Sequence, residues 1–191
     1  MPEIIATKIP EVRLIRPPEF LDSRGSFAET YNRRVLEAAG IRVEFVQDNQ
    51  SVSTQKGTVR GLHFQIPPAA QTKLVRVLKG VVLDVAVDLR KGSPSYGQHV
   101  SQILSESNKC QFLVPEGFAH GFCTLEDNTI VFYKVSAYYS PQHERGMRWD
   151  DPILGIDWGV SSKEALLSPR DNEYPGFAEL PSFFEYSAGP S

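Results

Sequence analysis

His63 lies in the stretch TVRGLHFQ, Thr58 to Gln65, and His120 lies in LVPEGFAHGF. Both stretches otherwise read as β-strand, and they stand out among the four histidines of the chain. A single strand histidine is most often a core imidazole hydrogen-bonded to backbone; two in organised strands point to chemistry. Metal binding is one such chemistry, but it takes about three or four protein ligands. The residues after His63, FQIPPAAQTKLV, supply neither a second histidine nor a glutamate, so no metal is expected. Proton transfer is the other, since an unmetallated imidazole ionises near neutrality. Such a base needs partners. Lys73 in QTKLVRV and Tyr133 in TIVFYKV are polar residues inside apolar strands. Period-two counting puts Lys73 on the face of Val75 and Val77, and Tyr133 on the face of Val131 and Val135. An inward lysine or tyrosine is costly unless its tip meets a partner or ligand. Strict alternation from Val59 would place Arg60 and His63 on opposite faces. Gly61 between them could reconcile the two through a bulge; alternatively Arg60 serves a neighbouring subunit.

The elements that must carry these residues are short strands. Runs rich in Val, Ile, Leu and Phe are predicted as strands at Glu44 to Val52, Gly57 to Phe64, Lys73 to Leu78, Val81 to Asp88, His99 to Leu104, Gln111 to Val114, Gly121 to Leu125 and Ile130 to Ala137. Turn-forming pieces such as KGSPSYG and SESNK separate them. Many short, closely spaced strands indicate an all-β sandwich, barrel or jelly roll. NRRVLEAAG is the one helix expected, a decoration capped by Asn32 and ended by Gly40. Beyond DDPILGIDWG the pattern is irregular and proline-punctuated, a tail expected to pack over the core. Upstream, EFLDSRGSFAETYN gathers Phe20, Asp22, Arg24, Phe27 and Glu29. This is either an exposed turn and edge strand or a loop whose arginine meets phosphate and whose rings flank a base or sugar.

Composition limits the classes of function. The 191 residues suit one domain, with a core of about 20–171 and an extension of about 172–191. A formal charge of −3 without blocks of like charge argues against a nucleic-acid or membrane surface, so an anionic ligand must be held locally. The N-terminal stretch has no basic region leading into an apolar core, and GVVLDVAVDL is too short and too acidic to span a bilayer. A cytoplasmic protein is expected, with Cys110 and Cys123 as free buried thiols.

FLDSRGSFAETYN, FVQDNQSVSTQKGTVRGLHFQ, QTKLVRVLKGVVLDVAVDLRKGSPSYGQ, LVPEGFAHGF, YKVSAYYSPQHERGMRWDDPILGIDW and LSPRD, taken in order, resemble the dTDP-4-dehydrorhamnose 3,5-epimerase family. Long ordered motifs are far more specific than a lone short one. The resemblance implies a jelly-roll, cupin-like homodimer without metal or cofactor, acting on a dTDP-4-keto-6-deoxyhexose. It implies His63 as base, Asp171 as the carboxylate orienting it, Lys73 with His120 near the C4 oxygen, and Tyr133 as the acid across the ring. It further implies that Arg24, Phe27 and Glu29 belong to a segment lent across the dimer interface to the nucleotide. Gln47, Asp48 and Asn49 match a QDN binding stretch, Arg60 a diphosphate or sugar contact, and Tyr138 and Glu144 positions near the thymidine diphosphate, with Tyr138 stacking on thymine. The departure is Arg170, where the family usually has lysine; a planar guanidinium replaces a compact ammonium.

Three rivals share parts of this pattern. A single-centre epimerase of a related dTDP-keto sugar would use the same base. A nucleotide-sugar-binding module would need a pocket but no acid and base, and a metal-dependent cupin enzyme would need an ion.

Overall fold

The computed structural model describes residues 1–187. Its strands are β1 (Glu3–Ala6), β2 (Arg13–Arg16), β3 (Glu19–Asp22), β4 (Gly25–Ala28), β5 (Gln47–Ser53), β6 (Val59–Gln65), β7 (Lys73–Lys79), β8 (Val81–Asp88), β9 (Arg90–Lys91), β10 (His99–Ser105), β11 (Gln111–Val114), β12 (Phe118–Thr124), β13 (Thr129–Val135), β14 (Glu144–Gly146) and β15 (Phe184–Glu185). One α-helix, α1 (Arg33–Ala38), follows the β3–β4 hairpin. The Asn32 side chain caps it by accepting from the Arg34 and Val35 amides.

The pairing pattern makes the body a jelly roll. β5 pairs with β13, β6 with β12, β7 with β11 and β8 with β10, all antiparallel. Eight strands are thus folded as one long nested hairpin. Rolling it brings β13 against β7 and β12 against β8, which divides the strands between two facing sheets. One sheet has the order β1-β2-β11-β7-β13-β5, the other β10-β8-β12-β6-β14.

Alternation then sorts the side chains. Val75, Val77, Val82, Ala86, Phe112, Phe122 and Val131 fill the space between the sheets. The other face of the five-stranded sheet presents Leu62, Phe64, Val85, Val87 and Cys123, which the irregular C-terminal region covers with Trp149, Leu154, Trp158 and Phe184. The expected tail packing is therefore observed, although of the extension 172–191 the last four residues lie outside the described ones. On the outer face of the six-stranded sheet, Leu74 and Leu113 are covered by Leu36 of α1 and by Ile41.

Each of the eight predicted strands is present. The largest boundary shifts are of three residues: β5 starts at Gln47 instead of Glu44, and β12 at Phe118 instead of Gly121, where Gly117, at φ +85°, completes the preceding turn. Seven further strands occur among the described residues: β3 and β4 fall in the stretch read as an exposed turn and edge strand, and β1, β2, β9, β14 and β15 were not expected. They are two to four residues long, too short to show alternation, and β1, β2 and β14 form by extending sheet edges that already exist.

Candidate active site

The interior between the sheets is apolar at one end and polar at the other. At the polar end β7 contributes Lys73 in line with Val75 and Val77, β13 contributes Tyr133 in line with Val131, and β12 contributes His120 in line with Phe118 and Phe122. The alternation read from the sequence for Lys73 and Tyr133 holds. β6 supplies His63 from the opposite sheet.

Arg60 also reaches this space, and the reason is the bulge at Gly61. His63 lies opposite His120 and Arg60 opposite Phe122, so Gly61 and Leu62 together face the single residue Gly121. The extra residue turns Arg60 and His63 to the same side. Only glycine serves here. Gly61 has φ +132°, and a Cβ on it would stand 2.6 Å from the Gly121 Cα and 2.9 Å from the His120 carbonyl oxygen.

His63 Nε2 contacts Asp171 Oδ1 at 2.5 Å. Asp171 is buried at the end of the LSPRD turn, where Ser168 Oγ donates to its other oxygen at 2.8 Å. Burial alone would lift the Asp171 carboxyl, but the hydrogen bond and charge of His63 together with the Ser168 bonds hold it below the usual carboxylate range. An ionised carboxylate can only accept, so Nε2 carries the proton and Nδ1 is left as the basic atom of His63. The Tyr174 ring stands edge-on to the imidazole, with centroids 5.6 Å apart.

Around this dyad the other groups are tuned by burial. Lys73 is 9% exposed; desolvation pushes its ammonium down to about 8, against the pull of the Asp84 and Glu144 charges. Its Nζ lies 3.5 Å from the His63 carbonyl oxygen. Burial pushes the Tyr133 phenol up, with Glu144 adding to the shift and Arg60 opposing it, so Tyr133 holds its proton at neutral pH. Burial pushes His120 down despite Asp84 Oδ1, 2.7 Å from its Nε2. Glu144 Oε2 accepts from Arg170 Nη1 at 2.6 Å and from the Tyr139 hydroxyl at 2.8 Å. Arg170 also stacks on Tyr174, 5.7 Å from the ring centroid.

These residues line one cleft of two lobes, about 320 and 230 Å³, that share His63, Lys73, Tyr133 and Glu144. The first lobe holds Arg60, His120, Arg170 and Asp171; the second holds Gln47, Asn49, Gln65, Gln71 and Tyr139. Among the described residues no group of three or more His, Cys, Asp or Glu side chains is arranged to hold a metal ion.

Five of the expected site residues lie elsewhere on this chain. Asp48 is turned outward, because Gln47 and Asn49 face the cleft and β5 alternates; it pairs across the register with Lys134 at 2.8 Å. Tyr138 is 70% exposed and outside the cleft lining, where its neighbour Tyr139 stands instead. Arg24 and Phe27 project from the exposed β3–β4 hairpin, and Glu29 borders a separate hollow beside α1. Conversely, Asp84, Gln65, Gln71, Ser168 and Tyr174 escaped the sequence reading. Asp84 had a signal, a lone acid in VVLDVAV; Ser168 had one in its spacing of three from Asp171.

Comparison with known proteins agrees with this geometry. Residues 6–179 match the family model described as dTDP-4-dehydrorhamnose 3,5-epimerase. A protein of that name from Sinorhizobium fredii is 51% identical over 93% of this chain and 91% of its own length. The crystal structure of the enzyme of the same name from Bacillus anthracis, with TDP and PPi bound, superposes with TM-score 0.90 at 50% identity and covers 93% of this chain and all of its own. A dTDP-6-deoxy-D-glucose-3,5-epimerase from Legionella pneumophila, in complex with dTDP-4-keto-L-rhamnose, has TM-score 0.92 at 44% identity, covering 98% of this chain and all of its own. With a family match over nearly the whole chain and the jelly-roll cleft intact, the chain belongs to the dTDP-4-dehydrorhamnose 3,5-epimerase family.

Proposed function

We propose that this chain inverts C3 and C5 of dTDP-4-keto-6-deoxyglucose, giving dTDP-4-keto-L-rhamnose. The observation that carries the residue assignment is the origin of the groups in the cleft. The His63–Asp171 dyad is set on the five-stranded sheet, and Tyr133 enters from the six-stranded sheet facing it.

Both target carbons flank the C4 ketone, so loss of either proton gives an enolate. His63 takes the C–H proton on Nδ1 and becomes an imidazolium beside Asp171. The electron pair moves to the C4 oxygen, where the Lys73 ammonium stabilises it and His120 lines the wall beside it. Tyr133 then gives its proton to the other face of the same carbon. Each inversion leaves an imidazolium and a phenolate, which proton exchange with water resets. The second centre repeats the cycle.

Arg60 and Arg170 at the cleft rim suit the diphosphate, and Gln47 and Asn49 the base or sugar. The β3–β4 hairpin exposes Phe20, Leu21 and Phe27 at 61%, 78% and 69%, more apolar surface than a lone hairpin keeps in water. Covering it with a second copy makes a homodimer and offers Arg24, Phe27 and Glu29 to the partner's nucleotide. The two free buried cysteines suit a reducing compartment, the cytoplasm.

The test is incubation with dTDP-4-keto-6-deoxyglucose in deuterium oxide, read by NMR. Deuterium at C3 and C5, with rhamnose configuration after reduction, is expected. Label at one carbon only would make the enzyme a single-centre epimerase, and no label would leave a binding module.

A further inference from the structure

One charged group behind the wall of the cleft, against His120, takes no part in the proton transfers above. Asp84 sits in the middle of β8 with no solvent exposure, on the interior face with Val82 and Ala86. Its Oδ1 meets His120 Nε2 at 2.7 Å, while Oδ2 is buried without any hydrogen-bond partner. A carboxylate so placed costs several kcal/mol unless positive charge stands close by.

The charges around Lys73 show where that compensation lies. β6 brings Arg60 and His63, β12 brings His120, β13 brings Tyr133, β14 brings Glu144, and the C-terminal region brings Arg170 and Asp171. Three carboxylates are therefore near the ammonium. Glu144 is already held by Arg170 and Tyr139, and Asp171 by His63 and Ser168. Of the three, only Asp84 has a buried oxygen without a hydrogen-bond partner. Among the charges acting on Lys73, that of Asp84 is the largest.

We propose that Asp84 is a positioning residue: it fixes His120 as the Nε2–H tautomer and is the counter-ion that keeps Lys73 an ammonium beneath the enolate oxygen. The inference rests on the epimerase reading. It adds a reason for an acid in an otherwise apolar strand. Without Asp84 the desolvated amine would lose its proton nearer neutrality and the oxyanion its cation.

Asp84→Asn keeps the shape and removes the charge. Loss of a neighbouring opposite charge shifts such a group by about one pH unit or more. The alkaline limb of deuterium exchange is therefore expected to move down by that amount, and the ratio of wild-type to variant kcat to grow about fivefold between pH 6 and pH 8. KM should change little. A loss that is uniform with pH would overturn the counter-ion role.

A second readout needs neither activity nor the variant. With ¹⁵N-histidine, long-range ¹H–¹⁵N NMR of the wild-type protein, assigned by the signal missing in His120→Gln, should show His120 neutral with its proton on Nε2. An Nδ1–H tautomer would overturn the proposal even if Asp84→Asn failed to fold. Wild-type protein that exchanges nothing at any pH would instead overturn the epimerase reading, and the counter-ion role with it. Exchange with an unmoved limb would remove the role of Asp84 alone.

Discussion

Asp171→Asn isolates what the carboxylate does for His63. The side chain keeps its size in a buried place, so the packing against Ser168 and the turn is preserved. Two things are lost. The first is the charge 2.5 Å from Nε2, which stabilises the imidazolium as it forms. A hydrogen bond to a charged partner is worth roughly 1.5–3 kcal/mol. Removed from the transition state in full, that slows exchange roughly 10- to 150-fold. The second is the tautomer. An asparagine can present its N–H to Nε2, which turns the imidazole round and leaves Nδ1 carrying a proton where a base is needed. The same substitution in a serine-protease triad costs about 10⁴ in kcat. The expected loss is therefore between about 10² and 10⁴.

The assay is deuterium uptake at saturating substrate, with KM measured alongside. The loss should lie in kcat, because Asp171 backs the base and not the nucleotide. The double variant with His63→Ala should be no slower than His63→Ala alone, since the two side chains act as a unit. An Asp171→Asn protein within threefold of wild type would refute the dyad. Losses that add in the double variant would refute the coupling.

Other perturbations probe the acid, the bulge and the fold. Tyr133→Phe keeps the buried ring and removes the donor; inversion should slow by about 10²- to 10⁴-fold while label still enters, and a fully inverted product at wild-type rate would exclude the acid role. Gly61→Ala puts a Cβ 2.6 Å from the Gly121 Cα, so it should lower stability by about 1–3 kcal/mol and slow exchange by misaligning Arg60 and His63; an unchanged Tm would show that the bulge tolerates a side chain. Asp88 is buried, which would lift its carboxyl, but bonds from Arg90, Ser93 and Ser95 outweigh this and hold it below the usual range. Its stabilising effect is thus present above the unfolded value of about 3.9 and is lost as pH falls through the lower folded value. Asp88→Asn should cost about 3–5 kcal/mol near pH 7 and flatten the acid limb of the Tm profile; a Tm equal to wild type at pH 7 would contradict the ion pair with Arg90.

What the sequence disclosed followed from periodicity. Lys73 and Tyr133 could be placed inward by counting twos along apolar strands, because a strand buried on both faces leaves few polar residues to explain. His63 and Arg60 could be joined only by supposing a bulge at Gly61, and the β6–β12 register bears that out. Asp171 was different. It sits in an irregular turn, 108 residues from His63, and no local pattern points from one to the other; the resemblance to the epimerase family supplied it. The same resemblance overreached at Asp48, where taking three consecutive strand residues as binding groups ignored that the middle one must face away. Tyr138 came from the resemblance too; its neighbour Tyr139 lines the cleft instead, and in a loop adjacent rings have no fixed alternation by which the sequence could have chosen between them.

The jelly roll itself explains why this chemistry fits here. An epimerase must reach both faces of a flat enolate, so its base and acid must stand on opposite sides of a thin slot. Two sheets packed face to face are about 10 Å apart, enough for a sugar ring where the inward residues are polar and no apolar side chains meet. β6 and β13 lie in different sheets, and nested pairing brings their polar ends to the same end of the sandwich. His63 and Tyr133 are thus opposed by topology before any side chain is adjusted. The remaining demand is a cation at the plane between them. Lys73 is placed on β7, beside β13 in the sheet that bears Tyr133, and the β8 and β12 strands facing it contribute Asp84 and His120. Moving any of these residues by one position along its strand would turn it to the other face, which ties the catalytic set to the register of the fold.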